Sequence, residues 1–289
     1  MNSSKILIDT GPSRRGFHRL EAHMRCARLY ALGYGRAGSG GETAEMSRRR
    51  FPPASPLVRG SIGHVGMAHL YARLRAVQRR EDPDAYYVPT EAMGIVADSF
   101  GELGQEMLPI ASRTVRAYAK HYARENIEVL GVEDEEEVNF YDKFLYTARV
   151  DLEYRDRSGK VWFADHKLVN KIEGKVLSRY VLSGQFLGLA HLGARKWGDA
   201  FAGVAVNLLG VNPISFVRVA PDPAPWMLER FPEMVALTEE SIARTEQLIS
   251  VGRNTPASPS EFLCYTPYGR CPAFEMCRWG ESHDIGTPM

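Results

Sequence analysis

The chain has 289 residues, 44% of them apolar and 25% charged, which supports one large globular domain or two small ones with a sizeable core. With 36 Lys+Arg against 35 Asp+Glu the net charge is +1, so no overall excess marks a nucleic-acid, membrane or acidic partner. Four cysteines are too few for a disulfide scaffold, and no apolar run approaches the roughly 20 residues of a membrane span.

Met1 to Arg15 carries a short apolar patch at Ile6 to Ile8 and no signal-peptide pattern, so a cytoplasmic location is expected. From Phe17 to Leu32 the apolar positions Phe17, Leu20, Met24, Ala27 and Leu29 recur at helical spacing and predict an amphipathic helix that carries Cys26. Residues 33–59, rich in Gly, Pro, Ser and Arg, read as a loop. A second helix is expected from near Ser61 to Arg80, stopping before Asp82-Pro83, and a third from Glu91 to Asn126. The period then changes to two. Strands are expected at Asn139–Leu145, Thr147–Tyr154 and Lys160–Lys167, with Asp156-Arg157-Ser158-Gly159 as the turn between the last two. The acidic run Glu133 to Glu137 reads as a solvated edge. A helix over Ser178–Leu192, strands at Ala200–Leu209 and Ile214–Val219, and a helix over Pro225–Val251 follow, the proline in the last helix's first turn. The loop Asn254–Ser260 leads into a tail bearing Cys264, Cys271 and Cys277. No repeat or linker divides the chain, so a single domain over residues 1–289 is expected.

The neutral total hides an asymmetry. Residues 1–80 hold 15 Lys/Arg and 4 Asp/Glu, while residues 81–140 hold 4 and 14. The basic end is mostly arginine, whose planar forks match phosphate geometry; a solvated helical face with a flexible arm accounts for it as well.

The densest chemistry lies in Val150-Asp151-Leu152 and Ala164-Asp165-His166-Lys167. Asp165 and Lys167 are two apart, so on a strand they share a face, and the hairpin can bring Asp151 beside them. Two carboxylates and an ammonium converging there suit Mg²⁺ or Mn²⁺, with the lysine able to orient water or neutralise a phosphate. A surface ion pair on an exposed hairpin is the competing reading. Upstream stands Arg59-Gly60-Ser61-Ile62-Gly63-His64; downstream, Gln185 lies on the helix expected after this strand.

In this order, His64, Asp151, Asp165, Lys167 and Gln185 resemble the motifs of the PD-(D/E)XK nuclease superfamily, in particular its RecB-like exonuclease branch. Glu133 matches the Glu that often opens that family's first core strand. Leu189 stands where the family has Tyr, and Leu168 where Thr is usual. The resemblance covers about residues 55–215. It implies a central mixed β-sheet flanked by helices (a restriction-endonuclease-like α/β core), here with a helical N-terminal segment and a cysteine-rich C-terminal tail. It further implies that His64, Asp151, Asp165 and the carbonyl of His166 hold Mg²⁺ or Mn²⁺, and that Asp151, Asp165, Lys167 and Gln185 carry the reaction.

Cys264-x6-Cys271-x5-Cys277, with Cys26 from the far end of the chain, supplies four thiols. Four thiolates can hold Zn²⁺ or an iron–sulfur cluster; free buried thiols or a disulfide are the bland alternatives. Some RecB-like nucleases, the AddB type and CRISPR-adaptation exonucleases among them, carry one N-terminal and three C-terminal cysteines that ligate a [4Fe–4S] cluster. His23-Met24-Arg25-Cys26 through Tyr30 and Cys271-Pro272 through Cys277 resemble those segments, although the first C-terminal gap is longer than the family's C-x2-C. The resemblance thus implies an iron–sulfur clasp from residues 17–32 and 261–280. It implies an exonuclease on single-stranded DNA or DNA ends, in recombination, repair, phage DNA metabolism or CRISPR adaptation. The chain has no P-loop, so any helicase work falls to a helicase, recombination or CRISPR partner. The alternative is a non-catalytic DNA-binding or recombination accessory subunit on the same fold.

Overall fold

A computed structural model describes residues 5–35, 54–174, 176, 180, 182–251, 255, 257–266, 269–271 and 273–279. Ser178, Asn254 and Pro272 of the segments above lie outside the described residues. In chain order the elements begin with α1 (Phe17–Arg25), α2 (Ala27–Tyr30), α3 (Ser55–Arg79), α4 (Pro89–Asp98) and α5 (Gly101–His121). Strands β1 (Glu128–Phe140), β2 (Phe144–Arg155) and β3 (Val161–Val169) follow, then α6 (Gly184–Trp197), β4 (Phe201–Val211) and β5 (Ile214–Val219). The chain continues through α7 (Pro225–Ser250), α8 (Glu261–Cys264), the short strands β6 (Tyr265–Thr266) and β7 (Gly269–Arg270), and α9 (Phe274–Trp279). Two compact units divide it: residues 1–14, 54–138 and 145–231, and residues 15–53, 139–144 and 232–289.

The expected mixed α/β sheet flanked by helices is present. Five strands pair in the order β1-β2-β3-β4-β5, with β2–β3 and β4–β5 antiparallel and β3–β4 parallel. The parallel step is why α6 must intervene between β3 and β4 as a crossover. Along β3 the side chains alternate. Leu168 and His166 meet α3, at Gly63 and Tyr71, while Asp165 and Lys167 meet α6, at Gln185 and Phe186. The core between sheet and helices joins Ile62, Val65, Met93 and Val115 to Leu152, Ala164 and Leu209.

Several boundaries differ from expectation, each for a local reason. The first predicted helix breaks at Cys26, whose backbone is extended (φ −165°, ψ 120°), so the cysteine precedes α2 instead of riding on a helix. Helix α3 begins at Ser55, earlier than expected, because Pro56 occupies its first turn, where a missing N–H costs nothing. The single helix expected from Glu91 to Asn126 is two, α4 and α5. The turn between them closes through Ser99 N–H to Val96 O and Phe100 N–H to Ala97 O, and Gly101 takes φ +60°, a conformation glycine adopts freely. Asn139–Leu145 is not a strand of its own. It is the end of β1, a turn with positive φ at Tyr141 and Asp142, and the start of β2. The acidic run lies within β1, at the edge of the sheet, where alternate side chains can stay in water. Helix α6 starts at Gly184 and extends to Trp197, while β4, β5 and α7 follow the expected spans to within two residues.

In the second unit, α1 docks on α7 through buried polar pairs. Arg19 Nη1 lies 2.5 Å from Glu239 Oε1, the His23 ring nitrogen Nε2 2.9 Å from Thr245 Oγ1, and Tyr30 O–H donates to Glu246 at 2.6 Å. Part of the basic end is engaged within a unit: Arg19 and Arg25 serve this one, and in the other Arg73 and Arg79 donate to backbone carbonyls.

Candidate functional site

Five of the sequence-marked side chains converge in the first unit. One step beyond the antiparallel pair Leu152 and Ala164 stand Asp151 on β2 and Asp165 on β3. Asp165 is almost fully buried. Its Oδ1 accepts from Gln185 Nε2 at 2.7 Å and from Lys167 Nζ at 3.0 Å, while Oδ2 sits 2.8 Å from the same ammonium without a directed donor. Lys167 also donates to Gln185 Oε1 at 3.4 Å, closing a three-membered ring of contacts. Asp151 Oδ2 accepts the backbone N–H of His166 at 2.8 Å and lies 3.3 Å from His64 Nδ1.

His64, Glu133 and Asp151 each offer a ligand atom, and the three atoms lie within 4.8 Å of one another. This triad differs from the expected metal set: Glu133 joins it, whereas Asp165 stands beside it in the lysine–glutamine ring. The His166 backbone N–H is held by Asp151. The His166 side chain lies on the opposite face, as expected, stacked on Tyr71 at 5.5 Å with Nδ1 3.2 Å from Asn207 Nδ2. Glu133 reaches the site from an edge strand with φ +54°, a left-handed conformation that costs a non-glycine residue roughly 1 kcal/mol or more. That backbone departure is what separates it from its four acidic neighbours, and nothing in the sequence announces it.

Charge crowding dominates the electrostatics. Burial, reinforced by Asp151 and Asp165, pushes the Glu133 carboxyl well above the usual range. Burial also raises Asp151, with Asp165 adding to the effect while His64, Lys167 and the His166 N–H oppose it. Burial would lower Lys167, but the carboxylates of Asp165 and Asp151 outweigh it and keep the ammonium charged. Carboxylates forced to hold protons when no cation is present are a donor set suited to a divalent ion, and carboxylate oxygens are the ligands that suit Mg²⁺ and Mn²⁺.

The second unit holds all four cysteines around one apolar pocket of about 200 Å³, lined also by Leu29, Leu263, Ala273 and Phe274. The long Cys264-x6-Cys271 gap closes because the residues between form the hairpin of β6 and β7. Cys271 N–H donates to Cys264 O at 2.8 Å, so the two cysteines flank the hairpin's base. Burial alone would raise the Cys26 thiol. Backbone N–H groups of Ser258 (3.4 Å), Leu29 and Arg28 outweigh it and lower its pKa, favouring the thiolate. The Cys277 thiol is pushed up by loss of water, with the Cys26 and Cys271 sulfurs adding to the rise and Arg28 opposing it. Among the described residues no three cysteine sulfurs lie within 4.8 Å of one another.

No protein-family model and no curated protein matches the chain. A solved structure titled "Crystal structure of SSO0001" is similar at 15% identity with a TM-score of 0.28, over 67% of this chain and 76% of that one. A likeness of that size carries no argument about function.

Proposed function

We propose that the chain is a Mg²⁺- or Mn²⁺-dependent deoxyribonuclease, an exonuclease acting on single-stranded DNA or DNA ends, with Asp151, Asp165, Lys167 and Gln185 as its working residues. The observation that supports this most is the interlocking of Asp165, Lys167 and Gln185 directly beside the His64–Glu133–Asp151 triad. A divalent cation bound there supplies Lewis-acid polarisation of a phosphate and acidifies water. Lys167, held charged by its carboxylates, orients the attacking water and offsets charge gathering on the phosphate. Gln185 fixes both Asp165 and Lys167, and the His166 N–H fixes the Asp151 rotamer. Leu189, where the resemblance expects Tyr, is buried in the core and offers the site no hydroxyl. The reading leaves room for a helicase, recombination or CRISPR partner.

We infer also that Cys26, Cys264, Cys271 and Cys277 hold a [4Fe–4S] cluster. All four cysteines line one apolar pocket, which supports a group held by four thiolates. The cluster would supply four iron–thiolate bonds, tying Cys26 to the C-terminal tail.

Digestion of labelled single-stranded DNA with Mn²⁺ tests the reading. The unaltered protein is expected to be brown and to cleave. Asp165→Ala and Lys167→Ala are expected to lower cleavage about 100-fold or more while the fold and visible absorbance persist. Cleavage retained by both variants overturns the site. Binding without cleavage by the unaltered protein points instead to an accessory role.

A further inference from the structure

Residues 5–13 form a strap pinned at both ends of its course. Ile6 N–H donates to Ala85 O at 2.8 Å, Ile8 N–H to His69 Nε2 at 3.1 Å, and Ser13 Oγ to Thr147 O at 3.1 Å. Midway, Asp9 meets Arg149: Nη1 donates to the Asp9 carbonyl at 2.5 Å and stands 3.0 Å from Oδ2. The two side chains are unequal partners, since Arg149 is 17% exposed and Asp9 80%. Arg149 lies two residues before Asp151 on β2, which puts their Cα atoms about 7 Å apart. Both charges are felt by Glu133, Arg149 lowering its pKa and Asp9 raising it, so both stand near the candidate metal triad.

We propose that Arg149 grips a phosphate of the substrate and that Asp9 holds this guanidinium until the phosphate displaces it. The proposal rests on the nuclease reading and adds to it a substrate contact and a built-in competitor. A guanidinium carries five N–H donors in a fork that fits two phosphate oxygens. Asp9 engages only Nη1. The grip on Asp9 is therefore incomplete, and an exposed carboxylate contributes little to a pair. A phosphodiester carries the same single negative charge, so the exchange leaves the charge of the site unchanged while filling more of the fork. Asp9 does not swing free in the meantime. Its Oδ1 accepts Gly11 N–H at 2.9 Å, which presents Oδ2 to the arginine.

The test uses the full chain in two measurements. Metal-free binding of a fluorescein-labelled single-stranded oligonucleotide is read by anisotropy, and Mn²⁺-dependent cleavage of the same oligonucleotide gives KM and kcat. Asp9→Asn is expected to tighten binding and lower KM about threefold, the scale of an exposed ion pair. Arg149→Gln is expected to weaken binding and raise KM about tenfold or more, the scale of a lost hydrogen bond to a charged group, with Arg149→Lys in between. On the Arg149→Gln background the Asp9 effect should vanish. Asp9 is exposed, so its variant keeps the question open even if Arg149→Gln folds poorly. A guanidinium that merely balances Glu133 gains nothing from losing Asp9, so unchanged or weaker binding by Asp9→Asn overturns the proposal, as does absence of binding by both it and the wild type. The expected binding shifts without cleavage by any of the proteins sink the nuclease reading and leave the phosphate grip standing. Cleavage with equal binding and KM across the variants does the reverse.

Discussion

Gly63 has no room for a side chain: a Cβ there would lie 2.4 Å from Leu168 Cδ2. Its absence lets α3 come down on β3 at the point where the next residue, His64, reaches Asp151. Leu168, bulkier than the Thr that the nuclease resemblance expects, is thus accommodated by a glycine on the facing helix. Gly63→Ala should destabilise the chain by about 1–3 kcal/mol through overpacking, with Leu168→Ala in the same background recovering part of the loss. Urea denaturation measures both, and a Gly63→Ala midpoint equal to that of the wild type would show that α3 stands further off. At this scale the sequence was most legible where a polar residue interrupts an apolar pattern, as Asp151, Asp165 and Lys167 do on their strands and Gln185 at the head of α6. Glu133 was visible only through resemblance, because it sits among residues of its own kind and differs from them by a backbone angle. Arg149 and Asp9 gave no signal, since a lone charge on a strand and a lone charge near a terminus are ordinary.

Behind β3, away from the His64–Glu133–Asp151 triad, one polar network ties several elements together. Tyr71 of α3 and Tyr118 of α5 share a hydrogen bond of 2.7 Å, and Asn207 of β4 donates to Tyr118 at 2.6 Å and faces His166 Nδ1. Arg218 of β5 donates to Asn207 Oδ1 at 3.1 Å and pairs through both Nη atoms with Glu125. Burial, with the neighbouring His64, Arg218 and Lys167 adding to it, pushes His166 well below its ordinary pKa, so it serves this network as a neutral ring. Asn207 is the hub: it is 1% exposed and serves three partners. Asn207→Ala should cost about 1–3 kcal/mol, because it leaves the Tyr118 hydroxyl and the Arg218 Nε short of a partner in a buried setting. A calorimetric melt reads the loss, and a variant as stable as the wild type would mean that water fills the gap. The strands of this network, β4 and β5, were legible from apolar composition and turn residues alone. The helix break before Gly101 and the full length of β1 were not. A left-handed glycine looks like any other glycine in sequence, and a carboxylate-rich edge strand lacks the apolar alternation on which strands are recognised.

At the scale of the molecule, no helix among the described residues is long and apolar enough to cross a membrane, and the near-neutral charge conceals arginines such as Arg19 and Arg73 that serve acceptors within their own unit. The cysteine count pointed to a single four-thiol site, and the fold gathers all four around one pocket; the hairpin that closes the Cys264–Cys271 gap was beyond periodicity to foresee. The global property most exposed to the candidate metal site is the coupling of stability to pH. Glu133 and Asp151 have folded pKa values raised above their unfolded ones, so the native chain holds protons that the unfolded chain has released. Their contribution to stability is full below the ordinary carboxylate range and is lost as pH rises through the folded values. A divalent cation reverses this cost only when those protons leave, so its stabilising effect must grow with pH. The rise in Tm at fixed Mn²⁺ is therefore expected to increase between about pH 6.5 and 8.5, a window in which Lys167 stays charged. Glu133→Gln, which has no proton to release, should show a smaller and flatter metal shift. A Mn²⁺ shift independent of pH in the wild type, or equally pH-dependent in Glu133→Gln, would remove Glu133 from the metal site and leave the Asp165–Lys167–Gln185 ring without the cation it is arranged to serve.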